Sequence, residues 1–364
     1  MRWRILALFS FSAFSSSADL PEDGQTSSEV AKVLVDTVAR EEIPGIIGAV
    51  TSSEGVIALS SAGVRKFGTD VPLKSSDLIH LGSCTKAMTA AVIARLVVEG
   101  KLRWETTLIE ALPETKGAIA PGFHRISLWE LLTHRAGVPA NAVDWWSYGD
   151  LPILERRVAL LKEALKRPAP HQRGEYRYSN LGYMIAGCMA ERATGKTWES
   201  LIKDRLFTPL GMMSAGFGAP GRIGQVDQPW GHVRAGKNWR ANQSDNAPAL
   251  GPAGRAHCSM SDWAKFLRCY LPDGPDLRLD AEARRKLVTP SGAYAGGWVI
   301  GKRAWAKGTI FTHSGSNTMW YATVWVAPGL DRAFSVATNS CNERSHAICD
   351  QVIGKLIQID QRSR

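Results

Sequence analysis

Hydrophobic and polar positions alternate in two ways along the chain, and together they predict a mixed helical and β architecture. Residues 29–40 carry apolar side chains at helical spacing, and residues 46–52 and 56–64 are apolar segments joined by the turn Ser53-Glu-Gly55. A helix followed by a β-hairpin is therefore expected. Helical patterns dominate the middle of the chain. Near its end we predict strands at 298–300, 310–313, 320–326 and 333–338, and a closing helix at 343–359.

The segment from Ala87 to Val98 is apolar almost all round and ends at Glu99-Gly100, which predicts a buried central helix. Ser83-Cys-Thr-Lys86 stands directly before it. Because residues three apart share a helix face, Ser83 and Lys86 are predicted to lie side by side on the first turn. A serine nucleophile needs a proton acceptor within hydrogen-bond reach. Burial and the helix dipole both disfavour an ammonium group here, so we predict a lowered pKa for Lys86.

The spacing of serine and lysine is weak evidence when it stands alone. The same spacing recurs at Ser200 and Lys203. On these four residues alone, the better interpretation is that Ser83 is a helix N-cap and Lys86 a solvated residue of the first turn.

Two further motifs, Tyr178-Ser-Asn180 and His313-Ser-Gly315, also have structural interpretations. The first is compatible with a turn that leads into a helix near Leu181, with Ser179 or Asn180 as its cap. The second is compatible with a hydrogen-bonded strand histidine. The order and spacing of the motifs favour chemistry over these alternatives.

In that order and spacing the chain resembles the serine β-lactamase superfamily, which includes penicillin-recognising peptidases, class C β-lactamases and related esterases. The resemblance extends from about residue 30 to the C-terminus. It is carried by residues 81–102, 131–139, 176–183 and 311–317.

The resemblance implies an α/β (α+β) fold of the β-lactamase/transpeptidase type, an antiparallel sheet flanked by helices with an inserted all-helical lobe. We expect one hydrolase domain over residues 19–364. Its α/β lobe would comprise about 25–78 and 290–364, and its helical lobe about 79–289.

The resemblance also implies roles for the first two motifs. Ser83 would attack a carbonyl carbon, and Lys86 and the Tyr178 hydroxyl would share the proton transfers. Asn180 would hydrogen-bond Lys86 and a substrate oxygen.

For the third motif, the resemblance implies that His313, Ser314 and Gly315 lie on an edge strand lining the cleft. The backbone N–H of Ser316 would complete an oxyanion hole with that of Ser83. A tetrahedral intermediate needs two such donors converging on one oxygen.

The third motif and the residues after it depart from the family's pattern in two ways. The third motif carries His313 where class C enzymes have lysine, which favours the peptidase and esterase branches. The bulky run Thr318-Met-Trp-Tyr321 predicts large side chains at the cleft floor or wall, or a locally different strand. Cys84 is predicted to pack in the core and not to act as a second nucleophile.

The first 18 residues are predicted to be a signal peptide, with a basic start, an apolar segment at 5–14 and small residues at 16–18. The mature, exported protein would begin near Asp19 and be periplasmic or extracellular, without a membrane-spanning segment. Among the six cysteines, Cys84 and Cys188 are predicted to be buried and free. The pairs to test for disulfides are Cys258 with Cys269 and Cys341 with Cys349.

Composition adds little to the function. A net charge of +10 suits anionic surroundings, but lysine and arginine are dispersed and no nucleic-acid motif occurs. No spacing indicates a metal or cofactor. Gly195-Lys-Thr197 lacks the first glycine of a phosphate loop, and no Gly-x-Ser-x-Gly elbow occurs. The aromatic stretch Trp145-Trp-Ser-Tyr148, with Trp230 and Trp239, offers rings that could line a substrate groove.

The sequence therefore predicts a cofactor-free exported serine hydrolase that cleaves an ester or amide through an acyl-serine intermediate, as an esterase or a D-amino-acid peptidase. Its partner would be a small ester, amide or peptide, with cell-wall-derived material among the candidates. The alternatives are a class C-like β-lactamase and a non-turnover penicillin-binding sensor. His134 is predicted to be structural because Lys86 already fills the role of base.

Overall fold

The centre of the computed structural model, which describes residues 24–364, is a seven-stranded antiparallel sheet with the strand order β2-β1-β12-β11-β10-β9-β8. The strands are β1 (Gly45–Thr51), β2 (Val56–Gly63), β3 (Leu78–His80), β4 (Gly216–Phe217), β5 (Gly231–Ala235), β6 (Asn238–Asn242), β7 (Ala256–Ser259), β8 (Tyr294–Ala295), β9 (Trp298–Arg303), β10 (Gly308–Ser316), β11 (Tyr321–Ala327) and β12 (Arg332–Thr338). The first hairpin joins the last strand, since Ile46 of β1 pairs with Thr338 of β12.

The described residues form eleven α-helices, of which the first, the ninth and the last pack against this sheet, while the fourth and the fifth pack on the sixth. The helices are α1 (Gly24–Glu41), α2 (Thr85–Val98), α3 (Leu108–Ala111), α4 (Leu128–Leu132), α5 (Ile153–Ala164), α6 (Asn180–Thr194), α7 (Trp198–Ile202), α8 (Gly251–Gly254), α9 (Met260–Arg268), α10 (Ala281–Val288) and α11 (Ser345–Ser363). The antiparallel sheet flanked by helices agrees with the prediction, as do the first hairpin and the four late strands.

The two faces of the sheet belong to two hydrophobic cores because side chains alternate along each strand. In β1, Ile46 and Val50 pack with α1 and α11, whereas Ile47 and Ala49 pack with the core around α2. The helix α2 is buried over most of its surface and ends where Gly100 adopts φ 68°. This arrangement places the start of α2 against the sheet, next to β10.

The middle of the chain also contains short strands, although it was predicted to be all helical. A three-stranded sheet has the order β3-β7-β4, and β5 pairs with β6. These strands have two to five residues, which is too short for an alternating pattern to be recognised. The pairing of β3 with β7 matters for the site because β3 leads directly into the turn that carries Ser83.

Within residues 24–364 no helix has the length and apolar character needed to cross a membrane. The predicted signal peptide and the predicted mature start at Asp19 lie outside the described residues. All six cysteines lie within them and are free thiols, so neither of the two suggested disulfide pairs is formed.

Candidate active site

Ser83 lies in a tight 3₁₀ turn, Gly82–Cys84, between β3 and α2. It therefore precedes the first turn of the helix, whereas it was predicted to lie on that turn. Gly82 makes this turn possible because it adopts φ 50°, a backbone conformation that favours glycine. The Thr85 hydroxyl donates to the Gly82 carbonyl oxygen at 2.7 Å and accepts the N–H of Ala256 at 3.1 Å. The turn is thus bonded to β7 on its far side.

Lys86 is fully buried, and its Nζ is surrounded by three oxygens. Nζ lies 3.0 Å from Ser83 Oγ, 2.8 Å from Asn180 Oδ1 and 2.7 Å from the Ala253 carbonyl oxygen. A neutral amine has two N–H donors and one lone pair. It can donate to the amide and carbonyl oxygens and accept the proton of the serine hydroxyl. The three contacts are thus compatible with a neutral Lys86, although the three N–H donors of an ammonium group would fit the same oxygens, and the lowered pKa is what favours the neutral form.

Burial lowers the pKa of Lys86 well below its usual range because the ammonium ion loses its solvation. No ion pair in the described part of the chain joins a carboxylate to Lys86 to offset this loss. This lowering of the Lys86 pKa agrees with the prediction from sequence. The alternative of a solvated Lys86 is excluded because the side chain has no exposed surface.

Tyr178 stands just before α6, where Ser179 is the N-cap and accepts the N–H of Gly182 at 2.8 Å. The tyrosine ring centre is 4.8 Å from Lys86 Nζ. Although 37% of the residue is exposed, the partly covered phenol has a raised pKa because its anion would lose solvation, and a hydrogen bond with Ser83 offsets this only in part. The neighbouring Lys86 therefore does not bring the pKa of Tyr178 below its usual value. Tyr178 is a neutral hydroxyl that can pass a proton on.

Asn180 is the first residue of α6 and joins two parts of the site. Its Oδ1 accepts from Lys86, and its Nδ2 donates to Asn141 Oδ1 at 2.9 Å. Asn141 follows the Leu131–Pro139 motif by two residues, and no feature of the sequence singled it out.

The third motif lies on β10, whose pairing with β9 ends at Thr312. Residues 313–316 pair with β11 alone, so this half of the strand is an edge, as predicted, while residues 308–312 are internal. His313 is buried, its Nδ1 lies 2.6 Å from the Ser314 carbonyl oxygen and its Nε2 lies 3.0 Å from the Tyr294 hydroxyl. Burial and the proximity of Lys86 lower the pKa of His313 to about 3. His313 is therefore neutral and brings no charge to the cleft.

Two glycines allow the turn Gly82–Cys84, called the nucleophile turn below, to contact the backbone of β10. A Cβ atom added to Gly82 would overlap the backbone nitrogen of Ser316, and one added to Gly315 would overlap the Leu81 carbonyl oxygen and the nitrogen of Ser83. The amide groups of Ser83 and Ser316 are thus held in neighbouring segments that are in backbone contact. Such close approach is a precondition for two backbone N–H groups to act on one oxyanion.

A cleft of about 420 Å³ opens above Ser83. None of the residues that line it carries a charge: Ser83, Asn141, Ala142, Trp145, Asn180, Asn246, Leu250, Ala253, Gly254, Ser316, Asn317 and Thr318. Residues 24–364 also contain no cluster of three or more histidine, cysteine or acidic side chains suited to a metal ion. Asn246 was not predicted, since it comes from a loop without a recognisable motif.

The aromatic residues singled out from the sequence have different positions. Trp145 lines the cleft, Trp146 is 62% exposed and Trp239 is buried under α1 and α11. Trp320 and Met319 are also buried, so the bulky run after the third motif contributes only Thr318 to the cleft wall.

His134 and Cys84 are both buried. The Nδ1 of His134 accepts the backbone N–H of Ser179 at 3.0 Å, and its ring packs 4.4 Å from that of Tyr178. Burial lowers the pKa of His134 well below its usual range. The Cys84 thiol points towards the carbonyl oxygens of His313 and Ala322. These two contacts connect the turn that carries Ser83 to strands β10 and β11.

The family model described as Beta-lactamase matches residues 30–356. Penicillin-binding protein 4 from Amycolatopsis lactamdurans is 27% identical over 323 residues, which cover 82% of this chain and 81% of that protein. An unguisins hydrolase from Aspergillus campestris is 25% identical over 342 residues, covering 88% of this chain and 62% of that protein.

Among solved structures, the D-amino acid amidase from Ochrobactrum anthropi superposes with a TM-score of 0.75 and 18% identity, covering 93% of this chain and 99% of that one. At this identity the likeness concerns the fold, and it agrees with the predicted β-lactamase/transpeptidase type.

Proposed function

The chain belongs to the beta-lactamase family, and on that basis we propose that it is a serine hydrolase that cleaves an ester or amide bond through a covalent acyl-serine intermediate. One observation carries the proposal: Ser83 Oγ lies 3.0 Å from the Nζ of a lysine that is fully buried and without a carboxylate partner among the described residues. A buried neutral amine beside a serine hydroxyl is a general base poised for acyl transfer.

In the proposed acylation, Ser83 Oγ attacks the substrate carbonyl carbon while its proton passes to the lone pair of Lys86 Nζ. The carbonyl π electrons move onto oxygen, where the amides of Ser83 and Ser316 hold the negative charge. The tetrahedral intermediate then expels the leaving alcohol or amine. That group takes the proton from Lys86 by way of the Tyr178 hydroxyl, and the amine is neutral again.

In the proposed deacylation, a water molecule attacks the acyl-serine ester and gives its proton to the neutral Lys86 amine, directly or by way of the Tyr178 hydroxyl, which passes its own proton on as it accepts the new one. The second tetrahedral intermediate breaks the bond to Ser83 Oγ, which recovers a proton as the acid leaves. Atoms and charges balance over the two steps, and the enzyme returns to its starting state.

The uncharged cleft supports ester or amide substrates over β-lactams. Penicillins and cephalosporins carry a carboxylate, and His313 is neutral while no lining residue is cationic. A carboxylate entering this cleft would lose solvation without gaining a counter-ion. Uncharged esters, amides and peptides do not bear that cost.

The two alternatives remain distinct in their kinetics. A class C-like β-lactamase would turn over cephalosporins rapidly. A penicillin-binding sensor would be acylated at Ser83 and would then release the acyl group very slowly. The relative named penicillin-binding protein 4 is the reason for considering this alternative.

We also propose that the protein is exported, on the strength of the basic and apolar N-terminal segment ahead of Asp19. The N-terminal mass of protein recovered outside the cytoplasm tests this, and a mass beginning at Met1 there would overturn the predicted cleavage.

The defining experiment measures the turnover of a short-chain nitrophenyl ester and of a chromogenic cephalosporin. Three proteins are compared: wild type, Ser83→Ala and Ser200→Ala. Ser200 is a matched control because it has the same spacing to Lys203, but both side chains are exposed. We expect ester turnover that is lost in Ser83→Ala and kept in Ser200→Ala, with little cephalosporin turnover.

Other outcomes of this experiment are equally clear. Rapid cephalosporin turnover would identify a β-lactamase. A stable penicilloyl adduct on Ser83 in the mass spectrum, without turnover of either substrate, would identify a sensor.

Tyr178→Phe should reduce kcat for ester hydrolysis by about 100-fold, the lower range for loss of a general acid-base group. Its hydroxyl is the proposed proton relay to the leaving group, whereas its ring is kept by phenylalanine. The loss should be smaller for nitrophenyl esters than for alkyl amides, because nitrophenolate leaves without protonation. An equal loss on both substrates, or a raised KM with unchanged kcat, would assign Tyr178 a positional role instead.

A further inference from the structure

A buried polar chain lies behind the nucleophile turn and was not singled out from the sequence. His80, at the end of β3, has no exposed surface on its side chain, and its Nδ1 accepts the backbone N–H of Gly82 at 3.1 Å. An Nδ1 that accepts leaves the proton of the neutral ring on Nε2. That Nε2 lies 2.8 Å from Asp245 Oδ1. The contact is not a well-aligned hydrogen bond, so the attraction between the N–H group and the carboxylate is mainly electrostatic.

Asp245 also contacts the segment that follows Ser316, whose amide is the second proposed oxyanion donor. Its Oδ1 accepts from Asn317 Nδ2 at 3.2 Å, and its Oδ2 pairs with Arg255 Nε at 2.8 Å. Burial alone would raise the pKa of Asp245, but the contact with His80 and then Arg255 lower it to about 2. Asp245 is therefore an anion that accepts hydrogen bonds from Asn317 and Arg255 and contacts His80.

Asn317 fixes the backbone that follows Ser316. Its Oδ1 accepts the N–H groups of Met319 and Trp320 at 3.2 and 3.1 Å, and the side chain is 3% exposed. The single carboxylate of Asp245 thus reaches the Gly82–Ser83 segment through His80 and the Ser316–Asn317 segment through Asn317. These are the two segments whose amides would hold the oxyanion.

We propose that Asp245 and His80 are positioning residues that hold the amides of Ser83 and Ser316 at a fixed separation for the transition state. The inference rests on the proposed function, because it concerns the oxyanion of that same reaction. Neither residue lines the cleft, so neither touches the substrate. Their removal should weaken binding of the transition state and leave binding of the substrate almost unchanged.

The test uses Asp245→Ala, His80→Ala and His80→Asn in the full-length protein. Displacement of a catalytic group by about 1 Å costs on the order of 100-fold, so we expect kcat/KM for the nitrophenyl ester to fall about 10- to 100-fold in the alanine variants, through kcat. The affinity for phenylboronic acid, which forms a tetrahedral adduct with a nucleophilic serine, should fall in parallel. KM should change by less than about twofold.

His80→Asn separates positioning from packing. The Oδ1 of asparagine occupies roughly the place of Nδ1 and can accept the Gly82 N–H, but it does not restore the contact with Asp245. One hydrogen bond corresponds to about fivefold, so His80→Asn should be about fivefold more active than His80→Ala. This comparison decides the matter if Asp245→Ala does not fold.

Asp262→Ala is the matched control for removing a buried carboxylate by substitution with alanine. Asp262 is buried and accepts from Ser214 and Lys265 instead of from residues of the oxyanion site. It should keep the activity and boronate affinity of the wild type even if its unfolding midpoint falls.

The inference is overturned if the folded alanine variants keep kcat/KM within threefold of wild type, or if they lose activity through KM with unchanged boronate affinity. It is also overturned if His80→Asn is no better than His80→Ala. Boronate binding needs no turnover, so it tests the positioning even if the wild type hydrolyses no ester, an outcome that would count against the proposed function alone.

Discussion

Lys86→Met should reduce kcat/KM for ester hydrolysis by about 1,000-fold while the protein stays folded. A positioned general base contributes on the order of 100- to 10,000-fold, and Lys86 Nζ is the amine within 3.0 Å of Ser83 Oγ. Methionine has a similar length and suits a fully buried position, so the packing around α2 is kept. The measurement is kcat/KM together with the circular dichroism spectrum.

The same variant tests the protonation state of Lys86 through stability. The pKa of Lys86 is lowered in the folded state, and the unfolded chain takes up its proton as the pH falls below about 10.4. The wild type should therefore gain stability relative to Lys86→Met as the pH rises towards that value, with a slope of up to about 1.4 kcal/mol per pH unit. Above that pH, the free energies of unfolding of the wild type and of Lys86→Met should differ by a constant amount.

Lys203→Met is the control, because Lys203 has the same spacing to a serine but is exposed. It should change neither activity nor the pH dependence of stability. Near wild-type turnover by Lys86→Met would remove this lysine as the base, and a flat stability difference between pH 7 and 10 would show that it is charged in the folded protein.

Gly315→Ala should lower kcat/KM by about 100-fold or more, because it separates the two segments that carry the oxyanion donors. A methyl group at this position overlaps the Leu81 carbonyl oxygen and the Ser83 nitrogen, which are backbone atoms of the nucleophile turn. The turn must move away from β10 to admit it. Overpacking of this kind costs about 1–3 kcal/mol, so the urea midpoint should fall as well.

Gly354→Ala is the matched control for this change. Gly354 lies inside α11, and a Cβ atom there meets nothing within 4 Å. Alanine in a helix interior is more favourable than glycine by about 0.5–1 kcal/mol, so the control should be slightly more stable and fully active. If Gly315→Ala kept its activity within threefold, the two amides could not form the oxyanion hole together.

The large elements were predictable because their patterns are long. The helix α2 is apolar all round, and the hairpin of β1 and β2 has a glycine turn between two apolar segments, so tertiary packing and local preference agree. The three motif groups were also brought together as expected, with Lys86 Nζ bonded to Asn180 Oδ1.

The parts that could not be predicted depend on contacts between distant loops. Asn141 and Asn246 reach the cleft from irregular segments, and their types are common in any loop. The conformation of the Ser83 turn depends on Gly82 and on the Thr85 bonds to β7, a strand too short to recognise. The pKa of Tyr178 depends on how deeply its ring is covered, which spacing alone does not indicate.

The pairing of β1 with β12 also has a consequence for the order of synthesis. The N-terminal hairpin leaves the ribosome long before β12, the strand with which it pairs. Ile46 of β1, for example, has Thr338 as its partner in β12. Until then its apolar edge has no partner, and unpaired edges of this kind promote association between chains. A chain that stops before β12 is therefore expected to aggregate and not to retain partial activity, even though every proposed catalytic residue precedes that strand.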